Sequence, residues 1–435
     1  MIPFISVVIP THNPRMDYLA RVIDALQQQT LPRDQWEVVV VDNGSEQPLA
    51  AVASGKVGMC ESGKTDGSSQ AVAERPRDEE TKEPQVSASL PSHLPTFPPS
   101  TTHLDLSWHP NARVVREDKL GLTFARLRGF AEAKGELIVM VDDDNVLAPD
   151  YLKTAVRIAE KHPMLGAFGG KCLPEFEVEP PEWLKGITSG LGLRDLGEEP
   201  VVYPFEGEKV EKCESGGGGL RDERLKDEKT AEDGRLTAES ANRNIVEIAG
   251  GKQVARRPTD TEDGKLRLTE FPDCAPIGAG MVLRRDAAAA YAERIEQQTK
   301  RLKDQETITD RKGDSLASGG DNDICLTVIE EGWQVGYLPQ LKLAHLIPAR
   351  RMTLDYHKRM ARDSMKSFIL MLDQHGIRPW PAMAKWTLPL RVASDCWRVK
   401  PWQGAEQSLR FWGHIGMYEG RAAMPAQPTA AGVDG

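Results

Sequence analysis

Two hydrophobic periods alternate along this chain, and together they predict an α/β fold. Continuous β-branched runs at residues 4–10 and 37–41 predict strands that are buried on both faces. Between them, apolar residues recur at helical spacing over residues 17–30, where Asp17 is the expected N-cap. A strand, a helix and a strand with short connections form a βαβ unit, whose crossover is almost always right-handed. We therefore expect a Rossmann-like, mostly parallel sheet flanked by helices.

The same alternation continues through most of the chain. Short apolar runs predict further strands, and apolar positions three or four residues apart predict further helices. Asp323 is expected to cap the helix that begins near Ile324. The predicted strands cover residues 112–116, 137–141, 165–173, 276–284, 333–338 and 341–346, and the predicted helices follow Gly121 and Pro149 or cover residues 286–297 and 324–329.

Polar tracts interrupt this pattern and set the predicted domain boundaries. They are rich in Ser, Pro, Gly, Glu and Lys, a composition that cannot bury enough apolar surface to offset the entropy of ordering. We predict disordered insertions at residues 51–107, 206–270 and 299–317. The predicted units are a main α/β domain over residues 1–350, a helical extension over residues 351–420 and a disordered tail over residues 421–435.

Three consecutive carboxylates end the most apolar of the predicted strands. Asp142, Asp143 and Asp144 directly follow the apolar residues 137–141. In open α/β sheets, ligands bind beyond the carboxyl ends of the strands, and alternation along an extended chain would aim Asp142 and Asp144 the same way. Neighbouring carboxylates repel unless a cation joins them, and Mg²⁺ and Mn²⁺ prefer oxygen ligands. The pattern predicts a divalent metal site, with a solvated acidic loop as the alternative.

Composition narrows the class of partner. The 435 residues carry a formal net charge of −10, whereas a nucleic-acid binder normally shows a basic patch or stripe. Six cysteines are scattered without a C-x-x-C pair, which favours reduced thiols over a structural zinc site. The first predicted strand starts by residue 4, and no apolar run reaches the roughly 20 residues of a membrane span. We expect a cytoplasmic protein that is soluble, or peripheral on the inner face of the cytoplasmic membrane.

Glycine-rich phosphate loops do not accompany these acids. No G-x-G-x-x-G motif follows the first predicted strand, no Walker A motif is present, and the glycines at 216–219 lie in a polar tract. Phosphate would then be bound chiefly through a cation and arginines. A nucleotide sugar with a divalent metal suits this arrangement, because the metal stabilises charge on the leaving nucleoside diphosphate.

Five segments, taken as a set, resemble the family 2 glycosyltransferases, which have the GT-A fold. The resemblance covers the ordered parts of residues 1–350, and each segment alone is a weak signal. The segments are FISVVIPTHN at 4–13, VVVVDNGS at 38–45, GLTFARLRGFAEAKGELIVMVDDDN at 121–145, SGGDNDICL at 318–326 and AHLIPARRMTLDY at 344–356.

The resemblance implies a role for each matching residue. Asp42 would contact the nucleotide base, Asp321 would be the catalytic base, and an arginine of the last segment would face diphosphate. The implied metal ligands for Mn²⁺ or Mg²⁺ are Asp142, Asp144 and His345. The implied nucleotide-sugar-binding residues are Pro10, Thr11, Asn13, Asp42, Arg126, Asp142, Asp143, Arg350 and Arg351.

These residues lead us to expect an inverting transferase that moves a sugar from a nucleotide-diphosphate sugar, UDP-sugar favoured, to an acceptor hydroxyl. Gly320 departs from the family pattern, which commonly has glutamate there. A metal-dependent nucleotidyltransferase and a catalytically silent binding protein are the alternatives. Asp42 could instead cap a turn with Asn43-Gly44, and His345 could be an ordinary histidine at the core edge.

The predicted C-terminal extension combines tryptophans with cations. Five tryptophans and several arginines and lysines lie within residues 380–412, a combination typical of segments at a membrane interface. The alternative is that these rings close the acceptor side of the core. The expected partners are thus a nucleotide-sugar donor, a carbohydrate or lipid-linked acceptor and a membrane surface, with no nucleic acid.

Overall fold

The computed structural model describes residues 4–52, 102–185, 187, 190–203, 259–260, 266–268, 271–301, 316 and 319–425. The greater part of the three predicted insertions and of the predicted tail lies outside these residues.

A nine-stranded sheet forms the centre of the described structure. The strands, numbered in chain order, are β1 (Ile5–Thr11), β2 (Trp36–Asn43), β3 (Leu49–Val52), β4 (Thr102–Asp105), β5 (Ala112–Glu117), β6 (Leu137–Met140), β7 (Asn145–Leu147), β8 (Leu165–Phe176), β9 (Val201–Val202), β10 (Thr259–Asp260), β11 (Leu266–Arg267), β12 (Val282–Arg284) and β13 (Gln334–Ile347). The main sheet runs in the order β5-β2-β1-β6-β12-β8-β13-β7, and β9 pairs with β13.

Most strands of this sheet share one direction. β1 lies parallel to β2 and β6, β2 to β5, and β8 to β13. β12 lies antiparallel between β6 and β8, so those two strands also run the same way. Only β7, β9 and β12 oppose the common direction within the described sheet. The predicted α/β fold with a mostly parallel sheet is confirmed, and the carboxyl ends of β1, β2 and β6 meet at one edge.

Helices cover both faces of the sheet because each carries one apolar stripe. α1 and α3 pack in the cluster that contains Val7 and Val139, whereas α2, α4 and α5 pack in the cluster that contains Val8 and Ile138. Neighbouring residues of one strand thus face opposite layers, as a pleated strand requires. The helices are α1 (Met16–Gln27), α2 (Leu122–Glu132), α3 (Tyr151–Lys161), α4 (Arg285–Arg301), α5 (Gly320–Glu330), α6 (Leu354–Gln374), α7 (Leu388–Val399) and α8 (Ala405–Ala423).

Two predicted helix caps are wrong. α1 begins at Met16 with Arg15 at the N-cap, and Asp17 lies in the first turn, where its carboxylate pairs with Arg15 at 2.5 Å. α5 begins at Gly320, which is several residues earlier than predicted, so that Asp323 lies within the first turn. The side chain of Asp323 is buried and lies 3.5 Å from Arg294 of α4. It therefore makes a tertiary contact instead of capping the helix.

Order also extends beyond some predicted boundaries. β4 begins at Thr102 and pairs in parallel with β3, although residues 51–107 are predicted to be an insertion. Leu104 and Leu106 are buried in the core, but two isolated leucines in a polar tract give no periodic signal. The two strands predicted around residue 339 form one long strand, β13. The strand predicted over residues 276–284 is confined to β12.

Three helices and short 3₁₀ turns follow the sheet. α6 packs along α8, where Arg362 and Glu419 form an ion pair at 2.5 Å. Among the described helices, none combines the length and hydrophobicity that crossing a bilayer requires. The described cysteines, Cys172, Cys274, Cys325 and Cys396, are free.

Candidate active site

The three acids lie in a tight turn between β6 and β7. The chain turns at residues 143–144 instead of continuing as a strand. The predicted alternation of the three acids along an extended segment therefore does not apply here. Asp143 accepts a hydrogen bond from the hydroxyl of Thr11 at the end of β1. The Asn145 amide donates to Asp144 Oδ1 at 3.0 Å and holds the turn. Each acid is thereby given a separate environment.

Strand β13 brings His345 to Asp144. β13 pairs antiparallel with β7, which places His345 opposite Asn145. The imidazole Nε2 of His345 lies 3.2 Å from Asp144 Oδ2. Arg351, in the 3₁₀ turn that follows β13, donates to the same carboxylate oxygen at 3.3 Å and lies 3.0 Å from His345 Nε2. We call Asp144, His345 and Arg351 the acid–imidazole–guanidinium group.

Surrounding backbone fixes the imidazole of this group. Gly192 has φ +67°, and a Cβ built there would lie 3.1 Å from Cε1 of His345. The Nδ1 atom of His345 is buried and has no hydrogen-bond partner among the described residues. Because Nδ1 faces this covered side, the other ring nitrogen, Nε2, faces Asp144 and Arg351. A side chain at position 192 would be strained and would press on the ring.

Burial and the neighbouring carboxylates both act on Asp143. Burial raises the pKa of Asp143 to about 7, and the nearby charge of Asp144 adds to the increase. The hydrogen bond from Thr11 acts in the opposite direction. A cation at this edge would relieve the repulsion between the acids, as expected for a site that neighbours bound metal or arginine.

Asp144 and His345 fit a divalent cation as a pair of ligands. A carboxylate oxygen and an imidazole nitrogen 3.2 Å apart are donor types that Mn²⁺ accepts. Within the described residues, no group of three or more His, Cys, Asp and Glu side chains could hold a metal ion by itself. Few protein ligands are usual for Mg²⁺, which completes its shell with substrate phosphates and water. Asp142 as a further ligand stays a prediction.

Asp42 lies at the end of β2 and is almost completely buried. Its carboxylate accepts hydrogen bonds from the backbone of Ser45 and Leu49, both at 3.1 Å, and from Arg116 at 2.6 Å. Burial alone would raise the pKa of Asp42, but these bonds outweigh it and lower the pKa. The contacts are those of the turn-capping alternative, and a direct contact with a nucleotide base stays a prediction.

The loops after β1 and β2 are tied together beside Asp42. Asn13 has φ +48° and receives a backbone hydrogen bond from Glu46 at 2.9 Å on its side-chain oxygen. Its own backbone N–H donates to Ser45 Oγ at 2.9 Å. Pro10 and Thr11 are buried at the end of β1. Pro10, Thr11, Asn13 and Asp42 are therefore brought together at one edge, as the sequence predicts for a binding surface.

Asp321, in the first turn of α5, lies beside Gly278. The Gly278 N–H donates to Asp321 Oδ2 at 3.0 Å, and Asp321 is only partly buried. Gly278 leads into β12. The backbone oxygen of Met281, the residue directly before β12, accepts a hydrogen bond from the Met140 N–H at the end of β6. These contacts connect Asp321, through the segment that leads into β12, to the end of β6, which the three acids follow.

Arg126 lies beside Gly278, the partner of Asp321, and its role in binding the nucleotide sugar stays a prediction. A Cβ built on Gly278 would lie 2.6 Å from Nη2 of Arg126 and 3.5 Å from Cβ of Asp321. Arg126 is 4% exposed. The two neighbouring arginines after β13 differ in environment. Arg350 is exposed, whereas Arg351 contacts Asp144.

Sequence reasoning missed three residues that shape this site. Gly278 admits Arg126 next to Asp321, Gly192 covers the ring of His345, and Arg116 neutralises Asp42. An isolated glycine has no recognisable pattern when its reason is a tertiary contact. Arg116 could have been inferred, because it lies opposite Asp42 once β5 is paired with β2 in register.

Comparison with known proteins shows which family this chain resembles. The family model described as "Glycosyl transferase family 2" matches residues 6–72 and 102–205. A glucosyl-dolichyl phosphate glucuronosyltransferase of Haloferax volcanii is 30% identical over 84 residues, which span 18% of this chain and 27% of that protein. Glycosyltransferase AglE of the same organism is 38% identical over 52 residues, which span 12% of this chain and 17% of that protein. The chain thus matches about a quarter or less of these relatives.

Solved structures with a similar course of the chain are more distant in sequence. The mannosyltransferase PcManGT from Pyrobaculum calidifontis, in complex with GDP-Man and Mn²⁺, is 15% identical with a TM-score of 0.39, over 97% of this chain and 86% of that one. S. aureus TarS 1-349 in complex with UDP is 11% identical with a TM-score of 0.34, over 96% of this chain and 89% of that one.

Proposed function

We propose that this chain, which belongs to glycosyl transferase family 2 through residues 6–72 and 102–205, transfers a sugar from a nucleoside-diphosphate sugar to an acceptor hydroxyl with inversion at the anomeric carbon. A UDP-sugar is the favoured donor. The observation that carries the proposal is that Asp144 of the acid–imidazole–guanidinium group follows β6, while Asp321 is bonded to Gly278, which leads into the neighbouring strand β12. One part suits a diphosphate and the other suits proton transfer.

The loops after β1 and β2 and the Asp144 side would hold the donor. Thr11 and Asn13 provide polar groups at the edge where Asp42 fixes the turn. Arg351, which contacts Asp144, would bind the diphosphate oxygens, since a guanidinium can bind them in a bidentate way. Asp144 and His345 would hold Mn²⁺ or Mg²⁺. The metal, when bound, supplies charge stabilisation for the departing nucleoside diphosphate.

Asp321 is our candidate for the general base. Its carboxylate oxygen would take the proton of the acceptor hydroxyl while the hydroxyl oxygen forms a bond to the anomeric carbon. The bond from that carbon to the diphosphate oxygen breaks in the same step, and the electron pair leaves with the nucleoside diphosphate. The Gly278 N–H fixes one oxygen of Asp321. Attack from the face opposite the diphosphate gives inversion.

The family assignment favours sugar transfer over the nucleotidyltransferase alternative. For the acceptor, similarity to the glucosyl-dolichyl phosphate glucuronosyltransferase of Haloferax volcanii supports a lipid-linked acceptor for this chain over a free carbohydrate. A lipid-linked acceptor would place the enzyme at the cytoplasmic face of a membrane as a peripheral protein.

A metal-dependent donor assay tests the proposal. UDP-sugars and GDP-sugars would be screened by thermal shift with Mn²⁺, with Mg²⁺ and with EDTA, and donor hydrolysis would be followed for those that bind. We expect one donor to raise the melting temperature only with metal, and Asp144→Ala to abolish that shift. Asp24→Ala on the exposed side of α1 is the matched control. Full donor binding and hydrolysis in EDTA, or no binding by any donor, would overturn the proposal.

A further inference from the structure

Four large apolar side chains on α7 and on the 3₁₀ turns at its two ends are covered by no described residue. Trp386, Leu390, Trp397 and Trp402 are 73%, 65%, 77% and 63% exposed, respectively. Leu390 and Trp397 are seven residues apart on α7 and therefore project from one side of the helix, and Trp386 lies in the 3₁₀ turn just before it. Trp402, in the 3₁₀ turn after α7, contacts Trp397 with ring centroids 6.3 Å apart. We call these four residues the tryptophan face.

The opposite side of α7 is fixed to the protein. Asp395 is 2% exposed, and its carboxylate lies 2.6 Å from Nδ1 of His414 on α8. Leu388 and Val392 pack in a small apolar cluster with Tyr418 of α8 and its neighbours. Because α7 is held by both apolar and charged contacts on this side, it cannot roll to bury the tryptophan face without breaking the Asp395–His414 pair. The exposure of the rings is therefore built into the fold.

Positive charge surrounds the tryptophan face. Over residues 381–404 the single acid is Asp395, which is buried, whereas the cations Lys385, Arg391, Arg398 and Lys400 are exposed. This local excess lies on a chain whose overall charge is −10. Of these cations, only Arg398 takes part in an ion pair described for this surface, with Asp395 at 2.5 Å. The surface therefore has the charge complementary to an anionic partner.

From this arrangement we infer that the tryptophan face docks on the surface of an anionic lipid membrane. Indole rings favour the boundary between headgroups and acyl chains, and lysine and arginine beside them attract anionic headgroups. A second copy is a poorer occupant, because self-association through this face would bring two clusters of cations together. The site goes beyond the proposed function, since vesicle binding requires neither donor nor metal.

The depth of docking follows from the geometry of α7. The apolar side chains project from one side along the helix, so the helix would lie in the plane of the interface with its inner side still packed on α8. The fold of the catalytic domain need not change on binding. Membrane contact of this kind would require no spanning segment.

Flotation with vesicles of defined composition tests the inference. The whole protein would be mixed with phosphatidylcholine vesicles, with and without about a third of phosphatidylglycerol, in EDTA and without donor. We expect the protein to float with the anionic vesicles. With vesicles of phosphatidylcholine alone, it should stay in the bottom fraction with unbound protein. Binding should decrease at least about tenfold between low salt and 0.5 M salt, since the Debye length becomes shorter than the reach of the cations.

Two pairs of variants separate the apolar and charged contributions. Trp397→Ser with Trp402→Ser, and Arg391→Glu with Lys400→Glu, should each reduce binding to anionic vesicles by at least about tenfold. Lys153→Glu with Lys161→Glu, exposed on α3, repeats the charge change elsewhere and should bind like the unaltered protein. Melting curves confirm that the variants fold, and donor hydrolysis, measured separately, reports on the proposed function.

Three results would overturn the inference. The first is intact protein that stays away from anionic vesicles at low salt. The second is equal binding by the tryptophan variant and the unaltered protein. The third is a dimer, seen by light scattering, that becomes monomeric in Trp397→Ser with Trp402→Ser, because the face would then be an interface between copies.

Discussion

His375 Nε2 lies 2.7 Å from Oδ1 of Asp323, two positions after the candidate base Asp321 on α5. The second nitrogen of the same imidazole lies 2.7 Å from Glu330, at the other end of that helix. Arg294 of α4 completes the cluster, 3.2 Å from Glu330. The imidazole is fully buried. One residue following α6 thus holds both ends of the helix that carries the proposed base.

This cluster predicts a pH-dependent contribution to stability. Burial alone would lower the pKa of His375, but hydrogen bonds with Asp323 and Glu330 outweigh it and raise the pKa. A raised pKa stabilises the folded state below the unfolded value of about 6.5, and this stability is lost as pH rises through the folded pKa. His375→Gln should therefore lower the free energy of unfolding by about 3 kcal/mol at pH 6 and by clearly less at pH 10. Urea unfolding at both pH values measures the difference.

His109 provides a control of opposite sign. Burial lowers the pKa of His109 to about 4, and its ring packs on Trp36 with centroids 4.3 Å apart. Its neutral form stabilises the fold above the unfolded pKa of about 6.5, and this contribution falls as pH decreases toward 4. His109→Gln should thus lower the free energy of unfolding more at pH 8 than at pH 4.5.

For His375→Gln, an equal loss of unfolding free energy at pH 6 and pH 10 would contradict the prediction, because it would show that the His375 imidazole is held neutral.

Gly278→Ala should reduce turnover with little loss of fold. The added Cβ would lie 2.6 Å from Arg126 Nη2, so that the guanidinium must move from its position near Asp321. We expect kcat to fall about tenfold while the donor Kd changes less than about threefold, because the disturbance lies beside Asp321, the proposed base. Gly413→Ala in α8 meets no atom within 4 Å and is the matched control. A decrease in donor affinity as large as the decrease in kcat would contradict this placement of Arg126.

The sequence was sufficient for the elements whose apolar pattern is local. β1, β2 and β6 are continuous apolar runs, and the acids that follow β6 lie at the sheet edge where the strand order predicts them. The family resemblance brought Asp321 and His345 into the same list of site residues. What the resemblance could not give is the register of β13 against β7, which decides that His345 lies opposite Asn145.

Residues whose role depends on distant partners could not be predicted. Asp323 has the sequence context of a helix cap, yet its partner is His375, more than fifty residues later. Asp42 precedes Asn43-Gly44 like an acid in a turn, and only strand pairing shows that Arg116 neutralises it. Leu104 and Leu106 lie in a polar tract, where burial depends on packing formed by other segments. Long-range contacts leave no periodic pattern in the sequence.

Arg351→Gln should strengthen the binding of metal alone and weaken the binding of donor. The guanidinium contacts both Asp144 Oδ2 and the neighbourhood of His345 Nε2, so a cation that uses these atoms must displace it. A hydrogen bond to a charged group contributes about 1.5–3 kcal/mol, and its removal should increase Mn²⁺ affinity roughly tenfold. Calorimetric titration with Mn²⁺ and with UDP measures both. Arg350→Gln, exposed at the adjacent position, should leave both affinities unchanged.

Asp321→Asn tests the proposed base directly. Asparagine keeps the shape of the side chain and can still accept the hydrogen bond from the Gly278 N–H, but it cannot take the proton of the acceptor hydroxyl. Because base catalysis contributes about 10² to 10⁴-fold, kcat should fall by that factor while the donor Kd stays within about threefold. Asp355→Asn, 88% exposed on α6, is the control for the amide substitution. Parallel loss of donor affinity and turnover in Asp321→Asn would instead show that Asp321 supports the structure of the site.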